Sequence, residues 1–192
     1  MRLHRYIKQD MVDLAFEPLV EPAPVWDEYS GEGAPVEAEE EPEEEDEEGP
    51  PSARKVQAIK LRILEALVGL LERSGKVSNP RKLLNDLRNR EAKATTGLGR
   101  GIAMPHVRTP QAKGFAMAVA VAPEPGLLFA AVDDEPVRLF VAMVAPAHDD
   151  KFYLRVERAL AGAFERDDEL RDALLTASSP GEVLRLLSDL ID

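Results

Sequence analysis

A glycine-rich segment over residues 95–106 (TTGLGRGIAMPH) limits the possible folds of this chain more than any other stretch. Glycines at 97, 99 and 101 can adopt positive φ and let another group approach the backbone, so they predict a turn with accessible N–H donors. Pro105 fixes its own φ and biases the preceding residue towards extended backbone. We therefore expect residues 102–104 to form a short strand that leads to His106 at the surface.

Two common nucleotide-binding motifs do not fit this segment. A dinucleotide fingerprint counted from Gly97 requires a glycine where the chain has Ile102, and a P-loop requires Gly-Lys-Ser/Thr, which is missing. A nucleophilic imidazole beside clustered backbone amides is instead suited to receive a phosphoryl group.

Three pieces of sequence together resemble the active-site signature of a known family: the pair Arg90-Glu91, residues 96–99 (TGLG) and residues 101–106 (GIAMPH). The family is the enzyme IIA domain of the fructose/mannitol type (type 2) of the bacterial phosphoenolpyruvate-dependent phosphotransferase system, which includes nitrogen-regulatory IIA proteins. The resemblance implies an α/β fold with a mixed β-sheet flanked by helices on both faces. It also implies that His106 accepts a phosphoryl group from the phosphocarrier protein HPr and passes it to a IIB partner.

The resemblance and side-chain chemistry assign roles around His106. Arg90 is predicted to bind phosphoryl oxygens and offset their charge during transfer. The other predicted phosphate-binding residues are Thr96, Gly97, Gly99 and Gly101. Glu91 is expected to brace the loop, and Arg100 to contact an incoming partner. The resemblance further implies that Nε2 of His106 attacks while a backbone carbonyl orients Nδ1.

One position departs from the family. Tyr153 stands where these domains usually carry a second histidine. His148 lies five residues earlier, and whether it takes the role of that histidine is left open by the sequence. A tyrosine hydroxyl donates a hydrogen bond but does not titrate near neutral pH, which favours a regulatory protein over a transport component. The acidic residues near His148 fit solvated turns, so we assign no metal and no cofactor.

The acidity of the chain is concentrated in one segment. Of the net charge of −12, ten negative charges lie between residues 37 and 48, leaving −2 for the rest. No basic patch suits a nucleic acid. The chain has no cysteine, whereas IIB proteins of this type carry the phosphoryl group on a cysteine, so we expect no fused IIB domain.

Targeting signals are also missing from the sequence. No uncharged run approaches the ~18 residues of a membrane span, and no apolar stretch follows the basic N-terminus as a signal peptide requires. We predict a cytoplasmic protein without direct membrane insertion, whose phosphoryl donor and acceptor are other polypeptides.

Composition and periodicity predict three regions. Residues 1–16 form the N-terminal strand region, residues 17–51 an acidic, proline-rich disordered insertion, and residues 52–192 the main body. The insertion is either a solvated spacer or a tethered inhibitory or docking segment. Within the body, apolar spacing predicts helices over 52–74 and 80–91, strands over 115–121 and 137–144, and helix beyond 149.

Three functions fit these observations. The first is a histidine phosphocarrier, a phosphotransferase component rather than a free-standing turnover enzyme. The second is a regulatory binding module whose phosphorylation switches a protein partner through added charge. The third, a structural domain without phosphotransfer, agrees least with the complete glycine segment and His106.

Overall fold

A computed structural model describes residues 6–18, 51–148, 150–188 and 190. The predicted insertion over 17–51 therefore lies almost entirely outside the described residues and stays a prediction. In chain order the elements are a 3-10 helix (Gln9–Met11), β1 (Val12–Asp13), α1 (Ala53–Glu72), α2 (Pro80–Glu91), β2 (Gly97–Gly99), β3 (Ile102–Ala103), β4 (His106–Arg108), β5 (Ala116–Val121), β6 (Leu139–Ala145), α3 (Asp150–Arg166), α4 (Asp168–Leu175) and α5 (Pro180–Ser188).

Strands β5 and β6 form the antiparallel centre of a mixed sheet, with Val119 opposite Val141. Strand β1 runs parallel to β5, while β6 pairs in parallel with both β3 and β4. Every residue of β5 and β6 is buried. Because successive strand residues point to opposite faces, this burial requires cover on both faces of the sheet. The predicted α/β class, a mixed sheet flanked by helices, is confirmed.

Local sequence signals explain where the first two helices begin. The Ser52 side chain accepts a hydrogen bond from the backbone N–H of Lys55 and so caps α1, which packs across β5 and β6. Asn79 caps α2 in the same way, with Pro80 in the first turn. Both helices lie within two residues of their predicted bounds. The helical region beyond 149 is also confirmed, but it divides into three helices.

The glycine segment forms a β-hairpin, which the sequence did not predict. Strand β2 pairs antiparallel with β3, and Arg100 and Gly101 make the turn with φ of 57° and 74°. A Cβ placed on Gly97 would lie 2.6 Å from Cα of Ala131, so this glycine permits close backbone packing. The carbonyl of Gly101 accepts hydrogen bonds from the backbone N–H groups of residues 138 and 139. The segment thus serves the packing and pairing of the sheet.

Candidate functional site

His106 is the first residue of β4 and lies opposite Met143 of the central strand β6. Its Nδ1 is 2.7 Å from the carbonyl oxygen of Met104. Because a carbonyl oxygen can only accept, Nδ1 carries the hydrogen, and Nε2 of the neutral ring is therefore unprotonated and keeps its lone pair. The side chain is 12% exposed, so the imidazole is partly buried and still reachable.

Arg90, in the last turn of α2, faces Nε2 of this ring. Its Nη2 lies 3.0 Å from Nε2 of His106. Its Nη1 donates to the carbonyl oxygen of Ala94 at 3.0 Å, which holds the guanidinium in place. The two predicted catalytic side chains are thus in direct contact.

Helix α3 adds a carboxylate that the sequence reasoning missed. Oε1 of Glu157 lies 3.3 Å from Nε2 of His106, and the Glu157 side chain is 28% exposed. Tyr153, one helical turn earlier, places its ring 6.0 Å from the imidazole. Residues four apart share a helix face, so the spacing from Tyr153 was the one signal that could have identified Glu157.

These side chains surround an open pocket of about 610 Å³ between α2, β4 and α3. Its lining is rich in charge of both signs. The cationic lining residues are Arg90, Lys93 and Arg108, and the anionic ones are Asp86 and Glu157. Such a pocket suits a phosphoryl group carried by another protein, because cations are available near a nucleophile that solvent reaches.

The surroundings of His106 favour the neutral ring. Burial lowers the pKa of His106 below its ordinary value, and the charge of Arg90 lowers it too. The hydrogen bond to Met104 and the Glu157 carboxylate act against this by raising the pKa. Burial raises the pKa of Tyr153 well above its ordinary value, so its phenol stays protonated. The imidazole is therefore an available nucleophile at neutral pH.

The structure does not bring the predicted phosphate-binding loop to the imidazole. None of Thr96, Gly97, Gly99 and Gly101 lines the pocket of His106. Thr96 is buried, and its backbone N–H and hydroxyl both donate to the Glu91 carboxylate. Glu91 in turn pairs with buried Lys60 at 2.7 Å. These residues take part in hairpin pairing and packing outside this pocket, and Glu91 braces the start of the hairpin, so their role in phosphate binding stays a prediction.

Two further predicted residues lie elsewhere. The Arg100 guanidinium donates to the carbonyl oxygens of Phe164 and Glu165, both at 3.0 Å, and pairs with Asp168. It therefore caps the C-terminal end of α3, and its predicted contact with a partner stays a prediction. His148 is exposed in the turn before α3 and does not line the pocket, whereas Tyr153 does.

Within the described ranges, no group of three or more histidine, cysteine, aspartate or glutamate residues is arranged to hold a metal ion. None of the helices in those ranges is long and apolar enough to cross a membrane.

Comparison with protein families places this geometry in context. Residues 54–190 match the family described as phosphoenolpyruvate-dependent sugar phosphotransferase system, EIIA 2. The chain belongs to this family. A relative of this EIIA 2 chain is the PTS system fructose-specific EIIA component of Haloferax volcanii, 32% identical over 141 residues, covering 73% of this chain and 90% of the relative. The resemblance inferred from the glycine segment is thus confirmed.

Solved structures give the same assignment. The nitrogen regulatory protein IIA-Ntr from Neisseria meningitidis is similar with a TM-score of 0.61 and 35% identity, covering 67% of the EIIA 2 chain and 86% of that protein. The complex of enzyme IIA-Mtl and phosphorylated enzyme IIB-Mtl from Escherichia coli contains a similar chain. There the TM-score is 0.54 and the identity 26%, covering 73% of this chain and 92% of that one. The relatives therefore include both sugar-specific and nitrogen-regulatory proteins.

Proposed function

We propose that this protein is a histidine phosphocarrier, a component of a phosphotransferase system rather than a free-standing turnover enzyme. Its donor is the phosphohistidine of HPr, and its acceptor is a IIB protein or a regulatory target. The observation that carries the proposal is the arrangement at His106, where Nδ1 donates to a carbonyl and Nε2 faces a charged pocket beside Arg90.

The chemistry uses groups already in place. The Nε2 lone pair attacks phosphorus, and an Nε2–P bond forms while the donor N–P bond breaks and the donor ring keeps its electron pair. Arg90 offsets the charge on the phosphoryl oxygens as they arrive. Because Nδ1–H stays bonded to Met104, His106 neither gains nor loses a proton. In onward transfer the Nε2–P bond breaks and the ring leaves neutral.

Reconstitution tests the acceptor. The full chain is incubated with phosphoenolpyruvate, enzyme I and HPr, and its intact mass is measured at neutral pH. We expect one phosphoryl group on the wild type, none on His106→Ala and full uptake on His148→Ala, which serves as the matched histidine control. An intact, folded wild type that gains no phosphoryl group contradicts the proposal.

A second candidate is a phosphorylation-controlled regulatory module without sugar transport. The similarity to the IIA-Ntr protein of Neisseria meningitidis, at 35% identity, favours it. Phosphorylated protein is mixed with a cysteine-bearing IIB protein, and both masses are followed. Movement of the phosphoryl group to the IIB protein supports the relay. Retention on His106, together with a changed affinity for a target protein, supports regulation.

A further inference from the structure

Two side chains of opposite charge approach the same nitrogen of His106 from different helices. Arg90 of α2 lies 3.0 Å from Nε2, and Glu157 of α3 lies 3.3 Å from it. With the hydrogen on Nδ1, Nε2 accepts from the guanidinium but has no hydrogen to give the carboxylate. The contact with Glu157 therefore joins two electron-rich atoms, and it becomes attractive only when Nε2 is protonated.

We propose that Glu157 opposes Arg90 at this nitrogen, so that its charge destabilises the phosphohistidine and raises the tendency of the protein to pass the phosphoryl group on. The inference rests on the proposed function. A phosphoryl group adds about two negative charges near neutral pH. On Nε2 these charges are attracted by Arg90 and repelled by the Glu157 carboxylate.

Glu157 takes no covalent part in either transfer. The Nε2–P bond forms as the donor N–P bond breaks, and it breaks again as phosphorus bonds to the acceptor, whose own proton goes to solvent. The hydrogen on Nδ1 remains with Met104 throughout. The carboxylate thus changes the free energy of the phosphorylated state without altering which atoms react.

The placement of Glu157 makes this repulsion effective. Its side chain is 28% exposed and that of His106 is 12% exposed, so solvent screens the pair less than it screens charges on the open surface. For charges about 5 Å apart at a partly exposed site, Coulomb repulsion corresponds to on the order of a tenfold to hundredfold change in an equilibrium constant.

The test measures the phosphoryl equilibrium between this protein and HPr. Purified phospho-HPr is mixed with the full chain, and the phosphorylated fractions of both proteins are read from intact masses at neutral pH. Glu157→Gln keeps the side-chain shape and removes the charge. The matched control is Glu165→Gln, an exposed carboxylate on the same helix. An equilibrium constant does not depend on how fast the two proteins dock. Starting once from phospho-HPr and once from the phosphorylated form of this protein should give the same final fractions, which shows that a slow variant has reached equilibrium.

We expect Glu157→Gln to hold the phosphoryl group about tenfold more strongly than the wild type, and Glu165→Gln to match the wild type. A parallel NMR titration should give Glu157→Gln a lower His106 pKa, since the carboxylate raises it. An unchanged or weakened equilibrium in a folded Glu157→Gln protein overturns this inference alone. Failure of the wild type to take up any phosphoryl group overturns the proposed function as well.

Discussion

Replacing Glu91 with alanine is expected to destabilise the protein strongly, because Glu91 holds together a buried group of polar side chains. Its carboxylate lies 2.7 Å from Nζ of Lys60, with side chains only 5% and 7% exposed, respectively. It also accepts hydrogen bonds from the backbone N–H and the hydroxyl of Thr96. The substitution removes both sets of contacts at once.

The size of the effect follows from what remains unpaired. Breaking a buried ion pair by removing one partner costs about 3–5 kcal/mol, because the other charge stays in the interior. The substitution also leaves the two Thr96 donors without acceptors. We count the cost of this loss within the same range, because losses at neighbouring groups are not additive. Among the described residues, Lys60 then keeps a 3.5 Å contact with Thr95 and a position 4.5 Å from the Phe129 ring. We therefore expect Glu91→Ala to lower the free energy of unfolding by about 3–5 kcal/mol.

Urea unfolding followed by circular dichroism measures this loss. With an m-value of about 2 kcal/mol/M, the midpoint should fall by roughly 2 M. Glu72→Ala, at an exposed position at the end of α1, should stay within about 0.5 kcal/mol of the wild type. The double variant Lys60→Met/Glu91→Leu should recover much of the loss, since it leaves no buried charge. A loss below about 1 kcal/mol for Glu91→Ala would refute the reasoning.

Three further predictions concern the site and the glycines. Protonation of His106 blocks Nε2, and burial lowers the pKa of His106. Phosphoryl uptake should therefore fall only when the pH drops below ~6.5, the ordinary pKa of a histidine. A pH–rate profile in which uptake already falls above that pH contradicts this prediction. Arg90→Gln should slow uptake from phospho-HPr on the order of 100-fold in quenched-flow assays, with the urea midpoint almost unchanged. Gly97→Ala should lower the thermal midpoint because its Cβ meets the backbone of Ala131, whereas Gly69→Ala, inside α1 with open space around it, should stabilise by about 0.5–1 kcal/mol.

The sequence predicted the elements whose signals are local. Helix α1 follows from apolar residues three and four apart and from a serine cap, and α2 from an asparagine cap followed by proline. Strands β5 and β6 follow from continuous apolar runs bounded by turn residues. Each of these signals lies within a few residues of the element that it predicts. That Arg90 and His106 belong to one site was inferred from a motif that contains both residues.

The missed features depend on contacts between distant parts of the chain. Position 97 needs a glycine because the backbone of Ala131 packs against it, and Arg100 donates to carbonyl groups at the end of α3. Neither role can be read from the glycine spacing. Glu157 meets His106 only because α3 returns across the site after β6. A run of glycines indicates that the backbone adopts positive φ or allows a close approach. Contacts with distant parts of the chain decide whether that backbone binds a ligand or packs against the protein.

The sheet and the helices have separable effects on the chemistry of His106. Under the proposed function, the hydrogen bond from Nδ1 to Met104 selects Nε2 as the reacting nitrogen. The carbonyl of Pro105 accepts a hydrogen bond from the backbone N–H of Met143 in β6, which anchors this stretch to the central strand. Arg90 and Glu157 come from two helices and set the charge around that nitrogen. Charge substitutions on α2 or α3 should therefore change how strongly the phosphoryl group is held while Nε2 remains the reacting atom. Only a change in residues 104–106, which carry the imidazole and its carbonyl partner, should alter which nitrogen reacts.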